Sequence, residues 1–149
     1  MGSALIHSMS RDTAQAMSEE SVELVHEAND AFTRRDLDAL LALADPDIEI
    51  FPLIARLEGG SPYRGQEGVR RWWENWLRTA PDFSGEVLEV SDLVDVTVAR
   101  FRMRGHGIGS GASIEQTVWR FAEWRQKKCV RFLHFASEAE AIEAAGLSE

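Results

Sequence analysis

The sequence predicts an α+β fold: N-terminal helices packed on a curved antiparallel sheet, with one further helix at the C-terminus. Three observations lead there. Up to Thr79 the apolar residues recur mainly at helical spacing, and after Pro81 they alternate at the spacing of strands. Near the end, Ser137-Glu138-Ala139-Glu140 opens a helix again with a Ser-x-x-Glu capping box. Helices first and strands afterwards is segregation, which lays one helical layer against one face of a sheet. A helical layer on a curved sheet makes a cone with a pocket between the layers.

Met1 to Ala16 lacks periodicity and reads as a disordered arm or an expression remnant, with Met17 a candidate natural start and 17–149 a single domain. Ser18 is a good N-cap, Glu19 and Glu20 fill a first turn, and Val22, Val25, Ala28 and Phe32 give an amphipathic helix to about Arg34. Asp36 caps a shorter helix carrying Leu37, Leu40, Leu41 and Ala44, which Asp45-Pro46 stops. Ile48 to Pro52 is a short strand, and Leu53 to Ser61, with Gly59-Gly60, is a loop.

The third helix, from about Gln66 to Thr79, is the most distinctive segment. Val69, Trp72, Trp73, Trp76 and Leu77 fall at i, i+3, i+4, i+7 and i+8, one apolar face made largely of indoles. Strands follow: one around Val87 to Val90, a long one from Leu93 to Arg104, then Ile114 to Arg125 and Cys129 to Ala136. Gly105 to Gly111 and Gln126-Lys127-Lys128 are the turns. The last helix closes on Gly146-Leu147, with Gly146 expected in the left-handed position just past its end.

Bulk properties exclude several function classes. The chain has 149 residues, 44% of them apolar, enough for one domain with one core. A net charge of −9 argues against nucleic acid as a partner, since phosphates demand a basic surface. No apolar run is long enough to cross a bilayer, so no membrane partner is expected. The first residues contain no apolar signal core, and the single Cys129 forbids an intramolecular disulfide; both point to the cytoplasm.

Tyr63-Arg64-Gly65 leading into the tryptophan helix resembles the SnoaL-like branch of the NTF2-like superfamily, related to polyketide cyclases, ketosteroid isomerase and limonene epoxide hydrolase. Asp36 to Leu43, Asp45-Pro46-Asp47 and the tail Glu143 to Leu147 extend the likeness to nearly the whole of 17–149. The resemblance implies the NTF2-like cone, commonly with a partner subunit on one sheet face. It does not carry over the chemistry of limonene epoxide hydrolase. The arginine of that enzyme's Asp-Arg-Asp triad aligns with Arg100, but its aspartates align with Arg102 and His134. With both carboxylates missing, epoxide hydrolysis is excluded.

The candidate site therefore rests on other residues. Arg100 and Arg102 lie two apart on the even face of the long strand, after Val94, Val96 and Val98, about 7 Å from one another. If partly buried they need an anion, from Glu49, from Glu115 or from a ligand. His134 has the pKa range suited to proton transfer and is the expected acid/base, with Arg100 holding the oxyanion. Phe32, Phe51, Trp73 and Trp76 are expected to floor the pocket. No phosphate-cradling loop and no paired histidine spacing occurs, so no cofactor and no metal are expected. The leading reading is a small-molecule enzyme of isomerase, cyclase or dehydratase type, acting on a hydrophobic carbonyl- or carboxylate-bearing ligand. The alternative is a non-catalytic ligand-binding or interaction domain. A homodimer through the sheet is also expected, because Phe101, Met103, Trp119 and Phe121 together would form an exposed apolar patch.

Overall fold

A computed structural model of the protein describes residues 20–52, 61–93 and 95–148, with residues 147 and 148 described as backbone alone. The expected arm at 1–16 and most of the expected loop at 53–61 lie outside these residues. Helix α1 (residues 20–33) buries Leu24, Ala31 and Phe32. It ends at Arg35, whose φ of 61° turns the chain, and whose guanidinium donates to the Phe32, Pro81 and Phe83 carbonyls at 3.0, 2.9 and 2.6 Å. One arginine thus ties the α1 turn to the start of the sheet.

Helix α2 (Leu37–Ala42) is capped as expected, the Asp36 carboxylate accepting from the Ala39 N–H at 3.1 Å. Strand β1 (Ala44–Phe51) begins earlier than the sequence suggested. Its register on the neighbouring strand breaks between Ala44 and Glu49, and the break absorbs Pro46, which has no N–H to give a ladder. Strand β2 (Tyr63–Arg64) leads directly into helix α3 (Gly65–Thr79). Gly65 has φ 67°, a left-handed conformation that only glycine adopts freely. Val69, Trp72 and Trp73 on α3 are buried, with Trp76 and Leu77 half-buried beside them.

Strands β3 (Ser84–Leu93), β4 (Val96–His106), β5 (Ser113–Arg125) and β6 (Lys128–Phe135) form an antiparallel meander. The β3–β4 turn cuts the long strand expected from Leu93. The apolar alternation runs through it unbroken, and the only local sign is Asp95 at φ 61°. Gln126 and Lys127, with φ of 50° and 65°, make the tight β5–β6 turn. The sheet order is β2-β1-β6-β5-β4-β3, and β1 runs parallel to β6. The sheet is therefore mixed rather than purely antiparallel: an open, curved six-stranded sheet with helices on it, the α+β cone expected from the sequence.

Helix α4 (Glu138–Ser148) starts at Ser137, whose hydroxyl accepts from the Glu140 N–H at 3.3 Å. It continues through Gly146, which lies inside the helix with negative φ rather than past its end. Two cores result. The larger lies between α1–α3 and the concave face of the sheet; the smaller lies on the convex face, where Ala141 and Ala145 of α4 cover Val96, Val98, Phe121 and Leu133.

These two cores explain the changing pattern of β4. Val96 and Val98 sit under α4, whereas Arg100 and Arg104 on the same face are exposed beyond it. The odd residues Thr97, Ala99, Phe101 and Met103 face the helices and are buried. Phe101 and Met103 therefore lie on the opposite face from Trp119 and Phe121, and Phe121 is fully covered. The apolar patch invoked for a dimer does not exist as one surface. No described helix is long and apolar enough to cross a membrane.

Candidate active site

Cross-strand pairing places Ala99 of β4, Arg120 of β5 and His134 of β6 side by side on the concave face. Next along the same face come Thr97, Ala122 and Phe132. Phe32 of α1 and Trp72 of α3 close over them from the helical layer, enclosing a cavity of about 100 Å³ with almost wholly apolar walls. That volume suits a ligand of about one ring rather than a drug-sized molecule.

Among the described residues, Arg120 is the only cationic one on this wall. Its guanidinium carbon lies 3.5 Å above the Phe101 ring and 5.4 Å from that of Phe132. Its Nε and Nη2 have neither solvent contact nor a hydrogen-bond partner among the described residues. The aromatic faces give part of what water would give a cation, but no counter-charge. Burial accordingly pulls the Arg120 pKa down to about 9.

Beside it, His134 is 4% exposed, its ring 4.8 Å from the Phe132 ring. Burial, and after it the Arg120 charge, hold its pKa well below the usual 6.5, against the pull of a hydrogen bond with the Phe51 backbone. His134 is therefore a neutral imidazole at physiological pH. Trp72 contributes a second unpartnered donor: its ring lies 6.1 Å from Phe132, and its Nε1–H meets no acceptor among the described residues. The other polar groups on the wall are occupied. Trp124 donates to the Thr97 hydroxyl at 3.0 Å, and Asn29 donates to the Gly85 carbonyl at 3.1 Å. The Cys129 thiol donates to the Arg131 carbonyl at 3.3 Å, and burial drives its pKa up to about 12, which leaves it a poor nucleophile.

Several sequence-derived assignments change. Arg100 is exposed and Arg102 half-buried on the convex face, so neither lines the cavity nor stands beside His134. Their face was misread because apolar and charged residues share it, the former under α4 and the latter beyond. Glu49 and Glu115 pair with Arg64 and Arg104 instead, at 3.3 and 3.9 Å. Phe32 does line the cavity. Phe51 packs with the convex-face core. Trp73 stacks edge-on against Phe32 at 5.1 Å and Trp76 tilts over Phe83 at 4.7 Å, both as core outside the cavity wall. Arg120 and Trp72 were not singled out for the site. The signal for Arg120 was present, a lone arginine in the even-face series Val118, Arg120, Ala122, Trp124. Among the described residues, no group of three or more His, Cys, Asp or Glu side chains is placed to hold a metal ion.

A family model described as a SnoaL-like domain matches residues 25–132. No curated protein matches the sequence. Among solved structures, an NTF2-like protein of unknown function from Burkholderia pseudomallei superposes with a TM-score of 0.70 at 21% identity, over 83% of this chain and 95% of that one. A protein from Jannaschia sp. CCS1, proposed to be a SnoaL-like polyketide cyclase, gives a TM-score of 0.70 at 16% identity, over 86% and 92%. A proposed isomerase from Bacillus subtilis gives 0.68 at 18% identity, over 86% and 94%. At these identities the likeness is one of fold.

Proposed function

The chain belongs to the SnoaL-like domain family, and from that premise we propose a small-molecule enzyme that works by acid/base chemistry without a cofactor. The class is isomerase, cyclase or dehydratase, and the substrate is a small hydrophobic compound bearing a carbonyl or carboxylate. The observation that carries this reading is Arg120, a buried cation on the wall of an apolar cavity with two guanidinium nitrogens unpartnered among the described residues, and next to it on the neighbouring strand a neutral buried histidine.

An unpaired buried cation is costly, and an anion or a developing oxyanion relieves that cost. Arg120 would hold the substrate carboxylate or, in a substrate without one, the carbonyl oxygen, by charge-assisted hydrogen bonds that strengthen in the latter case as an enolate forms. His134, kept neutral by burial and by Arg120, would take the proton from the adjacent carbon. An anion on Arg120 also cancels the charge that depresses His134, so the imidazole becomes more basic as the oxyanion develops. The oxyanion role first assigned to Arg100 passes to Arg120, while His134 keeps its own. The lone, buried Cys129 is in keeping with a cytoplasmic setting.

Proton exchange tests the reading directly. In D₂O the wild type should speed exchange of the methyl protons of 4-acetylbenzoate, followed by NMR. His134→Gln should lose that exchange and still bind the acid; Arg120→Gln should weaken both. Equal exchange by wild type and His134→Gln would refute the catalytic assignment. Binding without exchange in any form of the protein would instead support the non-catalytic alternative.

A further inference from the structure

The chain satisfies a buried indole where protein can do so: Trp124 donates its N–H to Thr97 at 3.0 Å. Trp72 is different. It is 6% exposed, lies on the cavity wall, and its Nε1–H has no acceptor among the described residues. A phenylalanine or leucine would fill an apolar wall without stranding a donor, and a stranded donor costs about as much as a hydrogen bond contributes. Arg120 holds the other two unpartnered donors of the same wall, and the Phe132 ring neighbours both residues, 5.4 Å from the Arg120 guanidinium carbon and 6.1 Å from the Trp72 ring. Two residues of the cavity wall thus carry unpartnered donors, one cationic and one neutral, both near the Phe132 ring.

We infer that the ligand carries two separate oxygen acceptors, an anionic one met by Arg120 and a neutral carbonyl or hydroxyl met by the indole N–H of Trp72. The substrate class this describes is a single-ring aromatic keto- or hydroxy-acid. The inference rests on the anion-binding reading of Arg120 above, and adds to it a group that orients the ring. One acceptor alone would let a flat ligand rotate about the guanidinium. Two acceptors fix how the ring lies in the cavity, so Trp72 would act as a specificity determinant by hydrogen bonding and not by shape alone.

The test compares pairs of acids of equal shape by calorimetry: 2-, 3- and 4-acetylbenzoate against the matching isopropenylbenzoates, which lack the second acceptor. For at least one ring position the wild type should bind the acetyl acid about fivefold more tightly than its isopropenyl twin, the effect of one neutral hydrogen bond. In Trp72→Phe that ratio should fall to one, while any packing loss weakens both twins alike. A ratio of one at every position in the wild type, or a ratio that survives in Trp72→Phe, overturns the inference. Should Trp72→Phe fail to fold, the wild-type NMR spectrum decides. The assigned Trp72 indole N–H should move downfield with the preferred acetyl acid and not with its twin, and absence of that difference overturns the inference. The anion reading has its own arm: benzoate bound equally by wild type and Arg120→Gln would refute it, whatever the twin ratio.

Discussion

Methionine fills nearly the same length of cavity wall as an arginine stem but brings no charge, so Arg120→Met removes the buried guanidinium while leaving Phe101 and Phe132 an apolar neighbour. Lowering the guanidinium pKa from its ordinary value to about 9 corresponds to roughly 5 kcal/mol of unfavourable charge burial at neutral pH. Stacking on Phe101 and Phe132 returns roughly 2 kcal/mol of this. The smaller side chain forfeits roughly 1 kcal/mol of packing. Arg120→Met should therefore stabilise the ligand-free protein by about 2 kcal/mol, raising Tm by about 7 °C for a domain of this size. Urea unfolding at pH 7 without ligand measures it. The sign with pH is also determined. Below the folded-state pKa the cost is present in full. From about 9 up to the ordinary guanidinium range the folded state binds fewer protons than the unfolded one, so this contribution grows more favourable as pH rises. The advantage of Arg120→Met should shrink over the same range. Destabilisation of more than about 1 kcal/mol at pH 7 would mean that Arg120 is a satisfied structural cation, and the functional reading would lose its basis.

Three further outcomes are expected. The folded-state pKa of His134 is depressed, so the unfolded chain binds more protons below pH 6.5 and stability drains away as pH falls; His134→Gln should flatten that loss between pH 7 and pH 5, and an unchanged slope would count against a buried neutral imidazole. At Gly85 an added Cβ would lie 1.8 Å from the tip of the Phe101 ring, so Gly85→Ala should cost about 2–3 kcal/mol in denaturant unfolding; a loss under about 0.5 kcal/mol would show that the ring, and with it the platform under Arg120, moves freely. Cys129 is buried with a pKa near 12, so a thiol reagent at pH 8 should modify it only at the rate of unfolding, and prompt labelling of the folded protein would contradict its placement.

The fold was legible because its elements carry local signals. Asp36 and Ser137 are caps, the indoles of α3 repeat at helical spacing, and Gln126-Lys127 separates two alternating runs. The candidate site was legible only in part, because its decisive property is which face of a strand looks inward. Alternation assigns residues to two faces but does not say which face each helix covers. On β4 the convex face is apolar under α4 and charged beyond it, so Arg100 and Arg102 resembled pocket residues while Ala99 and Phe101 resembled an outer surface. His134 was found by another route, its alignment with a triad aspartate of a family relative and a pKa range suited to proton transfer. Arg120 was missed, since one arginine among several in Arg120 to Arg131 looks like ordinary surface charge. The pairing of β1 with β6 was equally invisible, having no local sequence signature.

That parallel pairing has a consequence for how the protein is assembled. Strands β3 to β6 are joined by short turns, so their contacts close small loops and can form early. Ala44 meets Cys129 and Phe51 meets Leu133 across more than eighty positions of chain, the kind of long-range closure that slows folding. The meander is thus expected to condense first, with its concave face bare, before the segment carrying α1 to α3 docks on it. Phe32 and Trp72 arrive with that segment, so the cavity comes into being only at the last step. A ligand then has nothing to bind in the transition state. Benzoate should slow the unfolding arm of a chevron plot and leave the refolding arm where it was.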